Sequence, residues 1–283
     1  HADKMATKTD GPVVTIDLNG DVYWETGAGI GSTPLLPETS LISAVVINGN
    51  GNTFTATGKG VGEICLANGG TLTFNDLKIV DNSVSYAENS WEYGYLEMQG
   101  KLVLNNCDVV NAIMIEGEEA VFNGCSFNSN HDNEYAVWVS NGKAHFNGCS
   151  FSGARGLKTH EAYGSEVEEI LVDGCWFGPL TKKPGVAIGT VNAETSITIM
   201  NSKFSGCQAG DQNEYIYETD TDVDGILELK NNEVFVDESN MLADAIAEAE
   251  AGSTVEIPAG EYSVSTYKAG VELKGIGNPE NVV

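Results

Sequence analysis

Hydrophobic and polar positions alternate along most of this chain in short bursts, and one burst recurs almost letter for letter. Val121-Phe-Asn-Gly-Cys-Ser-Phe127 returns as His145-Phe-Asn-Gly-Cys-Ser-Phe151. Weaker copies flank them: Phe74-Asn-Asp-Leu-Lys-Ile79, Leu104-Asn-Asn-Cys-Asp-Val109, Val172-Asp-Gly-Cys-Trp-Phe177, Ile199-Met-Asn-Ser-Lys-Phe204 and Leu229-Lys-Asn-Asn-Glu-Val234. With the Cys slot as marker, Leu77, Cys107, Cys125, Cys149, Cys175, Ser202 and Asn232 fall 18 (125 − 107) to 30 (107 − 77) residues apart. One short alternating strand per period of that length predicts a solenoid.

Each copy carries the same instructions. An apolar residue two positions before Gly or Asn faces inward while its neighbours face outward. Asn106, Gly124, Gly148, Gly174, Asn201 and Asn231 share the next-but-one slot. Gly and Asn accept positive φ at low cost, so this slot predicts a sharp turn between two strands. The Cys slot then points inward again, followed by an outward residue and an inward Phe or Val. Stacked coils would place like side chains in ladders about 4.8 Å apart.

These residues resemble the right-handed parallel β-helix of the pectate-lyase-like superfamily over residues 13–236, in the manner of bacterial secreted and cell-surface β-helix repeat proteins. The resemblance implies an all-β solenoid of eight to ten coils and leaves the activity open, because one fold hosts many functions. A β-sandwich with coincidental repeats is the competing architecture.

The two ends resemble each other. Ala2, Gly11 and Val14-Thr-Ile16 line up with Ala243, Gly252 and Val255-Glu-Ile257 at a constant offset of 241 (243 − 2). In the second copy Leu242, Ala245, Ile246 and Ala249 recur at helical spacing, with Ser239 or Asn240 as cap. Residues 1–12 therefore read as the remnant of an N-terminal cap helix. Residues 237–283 read as a capping helix with the first coils of a second β-helix, or as a C-terminal cap. Between them, residues 27–38 form a long turn and residues 82–95 an aromatic, polar insertion.

Composition narrows the classes. The 283 residues carry a net charge of −27, which argues against nucleic acid and anionic lipid as partners. No apolar run approaches the length of a membrane span, so no membrane insertion is expected. The 33 Gly against 7 Pro suit many tight turns between paired strands. Of the six Cys, four share the inward slot, with neither CxxC nor zinc-ribbon spacing, and read as a buried ladder of free thiols packed as small hydrophobes. Cys65 and Cys207 fall outside that ladder. The expected setting is extracellular or at the cell surface.

Loops leaving one corner of successive coils should stack on one face. The segments after each inward Phe carry His131, Glu134, Tyr135, Arg155, Lys158, His160, Glu161, Tyr163, Glu166, Lys182 and Lys183. Arg155 is the only Arg of the chain. The expected ligand-binding residues are His131, Glu134, Tyr135, Arg155, Lys158, His160, Tyr163, Glu166, Lys182 and Lys183, facing a glycan. Loop-to-loop ion pairs would use the same letters. Trp138, Trp176 and Tyr215 add flat aromatic faces suited to pyranose rings.

The resemblance also implies catalytic options. In a uronate lyase, Arg155 or Lys158 would abstract the proton α to the carboxylate, beside a cation that stabilises the enolate; His160 and Glu161 are further candidates. A hydrolase of the polygalacturonase kind would need paired Asp and a following His. Asp108 and Asp173 lie on ladder coils, and the chain has neither that signature nor the lyases' compact set of Asp ligands. A metal candidate, for Ca²⁺, is Asp220, Asp222 and Asp224 in D-x-D-x-D-G spacing; the twelfth position, where an EF-hand needs Glu, is Asn231.

The resulting expectation is a structural or adhesive extracellular module with loops that bind a glycan or a host or neighbouring surface protein. Its immediate neighbours would be adjacent β-helix domains of the same chain. The alternatives are a polysaccharide lyase or glycoside hydrolase acting on acidic polysaccharide, and a phage tail-spike-like receptor-binding protein, which would be trimeric.

Overall fold

A computed structural model describes residues 11–26, 41–59, 62–64, 66, 69–84, 96–111, 113–129, 135–153, 155–159, 166–180, 185–189, 191–207, 216–219, 222–236, 246–257 and 268–275. Its architecture is an all-β parallel solenoid with almost no helix. Three sheets form the sides.

The first sheet stacks β1 (Val13–Asp17), β3 (Ala44–Asn48), β6 (Thr71–Asn75), β9 (Lys101–Asn105), β12 (Glu119–Asn123), β15 (Gly142–Asn147), β18 (Val167–Asp173), β21 (Ser196–Met200) and β24 (Leu227–Lys230). The second stacks β2 (Val22–Thr26), β4 (Thr53–Lys59), β7 (Lys78–Val84), β10 (Asp108–Val110), β13 (Ser126–Ser129), β16 (Ser150–Gly153), β19 (Trp176–Leu180), β22 (Lys203–Cys207) and β25 (Glu233–Val236). The third holds seven strands: β5 (Gly62–Ile64), β8 (Leu96–Met98), β11 (Ile113–Ile115), β14 (Tyr135–Val139), β17 (Arg155–Thr159), β20 (Val186–Ile188) and β23 (Tyr217–Thr219). Every neighbouring pair is parallel and the repeated letters stay in register, as in Val121 beside His145 and Phe127 beside Phe151.

The turn slot behaves as the pattern predicts. Asp76, Asn106, Gly124, Gly148, Gly174, Asn201 and Asn231 all have φ between +51° and +62°. Left-handed backbone there swings the chain from the first sheet into the second. The amide at that corner still reaches the next coil, as in Gly124 N donating to Asn147 O at 2.9 Å and Gly148 N to Asp173 O at 2.8 Å. Hydrogen bonding therefore continues around the bend.

Inward side chains form one continuous core. Phe122 and Phe146 stack at 4.8 Å, and Phe127, Phe151, Phe177 and Phe204 form a second column at 5.1, 4.4 and 4.7 Å. Each fully buried Phe contributes roughly 1.5–3 kcal/mol, with about 0.5–1.5 more per aromatic pair. Between these columns run Cys107, Cys125, Cys149 and Cys175, all buried and free. No disulfide joins them. Each thiol donates weakly to a carbonyl of the preceding coil, for example Cys175 Sγ to Phe146 O at 3.3 Å. Cys65 and the side chain of Cys207 lie outside the described residues.

A second ladder runs along the rim of the first sheet. Asn75 Nδ2 donates to Asn48 Oδ1, Asn105 to Asn75, Asn123 to Asn105 and Asn147 to Asn123, all at 2.8–2.9 Å. Asn48 ends the chain on Asp17 Oδ1 at 2.7 Å. Each amide is donor to one coil and acceptor from the next, which suits a fold in which identical residues stack.

Beyond residue 236 the described residues hold a helical turn at 246–248 and a separate parallel pair, β26 (Thr254–Ile257) with β27 (Glu272–Gly275). Ile246 is buried, whereas Leu242 and Ala245 of the expected capping helix lie outside the described residues. The same holds for the 27–38 turn, for residues 85–95 of the insertion and for residues 1–10.

Candidate functional site

Third-sheet strands are short because both ends turn corners, and β14 and β17 show how that aims their side chains. Gly156 and Gly185 sit where each coil enters the third sheet. A Cβ on Gly156 would come within 2.9 Å of Phe177 Cδ1, and one on Gly185 within 2.5 Å of Phe204 Cε1. The Phe column thus fills this corner, and only glycine lets the backbone pass. Gly156 and Leu157 are both buried in sequence, so strict alternation breaks there. Arg155 and Lys158 on either side are left on the outer wall.

The register places aromatic residues on one coil beside cations on the next. Tyr135 pairs with Arg155, and Trp138 with Lys158. Arg155 Nη1 donates to the Tyr135 hydroxyl at 2.9 Å, and its guanidinium carbon lies 5.1 Å from that ring's centre. Lys158 Nζ lies 4.7 Å from the Trp138 ring centre and 5.6 Å from that of Tyr135. The two rings meet edge to face at 5.9 Å and 88°. Contacts of this type contribute about 0.5–2 kcal/mol each. Burial raises the Tyr135 phenol above its ordinary pKa, opposed by the Arg155 hydrogen bond and charge and assisted by the Glu218 carboxylate. The phenol therefore remains a neutral hydroxyl that accepts from Arg155.

Four other described cations behave differently. Lys101, Lys143, Lys203 and Lys230 each lie within 4.0 Å of a glutamate carboxylate. Arg155 and Lys158 instead rest on aromatic faces, with no carboxylate in ion-pair range among the described residues. The row through Trp138 and Lys158 continues to Met114 on one side and to Ala187 and Glu218 on the other.

The remaining expectations divide by place. Glu166 sits at the opposite end of the third sheet, just before β18. Its backbone N–H donates to Asn141 Oδ1 at 3.0 Å, and its carboxylate accepts from Asn192 Nδ2 at 2.8 Å. It belongs to a corner network that also ties Ser140 and Gln99 to Glu116. It does not join Arg155. His131, Glu134, His160, Glu161, Tyr163, Lys182, Lys183, Asp220 and Tyr215 lie outside the described residues. Trp176 is 39% exposed on the outer face of the second sheet, its indole N–H donating to Gly178 O at 3.0 Å.

The acidic candidates serve local structure. Asp224 N donates to Asp222 Oδ1 at 3.0 Å, and Gly225 with φ +83° completes the turn into β24. Asp followed by Gly suits such a turn without any cation. Among the described residues no three His, Cys, Asp or Glu side chains converge as a metal site. Asp108 accepts from Ser126 Oγ at 2.5 Å on the second sheet, while Asp173 accepts from Asn201 Nδ2 at 2.8 Å at the corner. They occupy different places and form no catalytic pair.

No family model, curated protein or solved structure matches the chain. The fold and the Tyr135–Trp138–Arg155–Lys158 wall must speak for themselves. Glu218 and Met114 are the wall's neighbours that pattern reading missed. The signal for both is their position midway along a strand of the same side, visible only once the coils are in register.

Proposed function

We propose that this chain is a non-enzymatic module displayed outside the cell, a β-helix of the pectate-lyase-like kind, whose third-sheet wall binds a glycan. The observation that carries this reading is the convergence of Tyr135, Trp138, Arg155 and Lys158 on a rigid strand face. Trp138, Arg155 and Lys158 are half-buried on the outer wall beside the buried Tyr135, with no carboxylate in ion-pair range of either cation among the described residues, which suits a sugar carrying hydroxyl or acidic groups. The strands hold these groups in place, so little ordering accompanies binding.

A structural or adhesive role fits better than catalysis. Arg155, the first candidate base, already donates to Tyr135, and its Nε is buried. The tandem arrangement has its own support. Subtracting 241 from Thr254–Ile257 gives positions 13–16, within β1, and each of β1 and β26 opens a parallel pair. Adjacent β-helix units are therefore the proposed neighbours along the chain.

The test is a glycan array followed by titration calorimetry on the best binder. Trp138→Ala and Arg155→Ala should each weaken binding at least tenfold while leaving the thermal melt within a few degrees of wild type. Equal retention of both variants on every bound glycan, with the fold intact, overturns the reading.

A further inference from the structure

We propose that the outer face of the first sheet is a self-complementary docking surface for a second copy of this chain. The observation is an alternation that the register places along one row. Lys101, Glu119, Lys143 and Glu169 are direct neighbours on β9, β12, β15 and β18. Two further outward rows run beside it on the same strands. One is Val103, Val121, His145 and Leu171, all half-buried on the outward side. The other is the rim, Asn105, Asn123, Asn147 and Asp173.

A two-fold axis lying in the interface, parallel to the strands and between β12 and β15, reverses the coil order of the partner. Lys101 then meets Glu169 of the second copy, and Glu119 meets its Lys143. In the middle row Val103 meets Leu171 and Val121 meets the apolar side of His145. On the rim Asn105 faces Asp173 and Asn123 faces Asn147, donor to acceptor in both cases. All three rows match themselves under one operation. That is the property a two-fold interface requires. A row of one sign, or an arrangement with two like charges at its ends, would fail it.

Long-range repulsion does not forbid the contact. The chain carries −27, and Lys101 and Lys143 already pair within the chain with Glu118 and Glu168 beside the row, but the row itself sets two Lys against two Glu. Screening confines the rest of the field to about 8 Å at physiological ionic strength. The axis pairs eight strands, β3 to β24, and eight strands at about 4.8 Å by five residues at about 3.3 Å give a face on the order of 600 Å² per copy. That lies at the low end for specific association, so the dimer forms at high protein concentration. It leaves the third-sheet walls of both copies uncovered, and a surface carrying several glycans would then be gripped at two points.

The experiment is sedimentation equilibrium of the full chain from about 10 μM to 1 mM. The expected result is a monomer–dimer equilibrium between 30.0 kDa and twice that mass. Lys143→Glu should weaken association at least tenfold, because Glu119 then faces another carboxylate at two symmetric places. The double variant Glu119→Lys with Lys143→Glu should restore it. Within one chain the double variant also re-pairs positions 119 and 143, so the comparison is made on the dimerisation constant, with thermal melts reporting intrachain recovery separately. Thermal melts and protection of the ladder thiols report whether each variant folds. A wild type that stays monomeric throughout, a trimer, or a double variant that folds and associates no better than Lys143→Glu overturns the proposal.

Discussion

A single residue feels this fold most at the corner between the first and second sheets. At Gly148, φ is +59° and nothing stands within 4 Å of an added Cβ, so backbone conformation alone decides what fits. Gly148→Val should cost about 2 kcal/mol, whereas Gly148→Asn should cost under about 1 kcal/mol, because Asn tolerates the left-handed region. Urea midpoints at unchanged slope check this, and equal losses for both would refute it. Gly156 makes the opposite case. Its added Cβ would press on the Gly185 carbonyl oxygen, so Gly156→Ala must move backbone and should cost about 1–3 kcal/mol despite the small change. The thiol ladder gives the residue scale a pH dependence. The Cys107 thiol pulls Cys125 down, but Cys149 on its other side and burial outweigh it, pushing Cys125 up to about 12; Cys149 sits likewise between Cys125 and Cys175, also at about 12. An unfolded thiol loses its proton near the ordinary 9.0, so the unfolded chain gains from alkali before these two folded thiols do. Their contribution is whole below pH 9 and is lost as pH rises toward about 12. Replacing Cys125 and Cys149 together by Ser, the residue native to this slot at Ser202, should flatten that alkaline fall in urea midpoint. An unchanged fall would assign it to other groups.

Elements in this chain owe their stability to stacked copies, and the rim of the first sheet shows it. Asn123 both donates to Asn105 and accepts from Asn147, so Asn123→Ala removes two hydrogen bonds and orphans an amide on each side. A loss of about 1–3 kcal/mol is expected. Asn147→Ala should cost less, because no Asn follows it on the next coil and Asp173 occupies that register position. A larger loss at Asn147 than at Asn123 would show that the ladder does not act through both neighbours. Much of this scale is legible in the letters. The positive-φ slot, the inward Phe and the free inward Cys all follow from one repeat, because alternation and turn chemistry are local. The rim ladder and the Lys–Glu row stand in the same repeats, at fixed distances before the Cys slot, yet they acquire meaning only when coils stack in register. Candidate chemistry is less legible for the same reason. Order along the chain groups Glu166 with Arg155, but a third-sheet strand separates them, and Glu166 joins Asn141 and Asn192 instead. Arg155 shares the outer wall with Lys158 because of the double inward step at Gly156 and Leu157, which no alternation pattern announces.

At the scale of the whole molecule, a solenoid has no single centre, and its stability is a sum of coils and the interfaces between them. Those interfaces are unequal here. The coils from Phe122 to Phe204 carry both stacked aromatic columns and three of the four ladder thiols. The first coil is filled less well: Ile16 is 43% exposed although its inward register position is buried at Phe74 and Leu104, and the coil's aromatic contact, Trp24 with Phe54, is tilted at 6.1 Å. Local opening should therefore begin at the first coil and stop at the aromatic columns. Hydrogen exchange at neutral pH should show amides of β1 and β2 exchanging early. Amides of β12, β15 and β18 should exchange only with global unfolding, at a rate that tracks the urea-extrapolated stability. Iodoacetamide should leave Cys125, Cys149 and Cys175 unmodified over the same period, since alkylation needs the same opening. Equal protection of β1 and β15 would mean that the solenoid behaves as one cooperative block, with the end coils held as firmly as the aromatic middle.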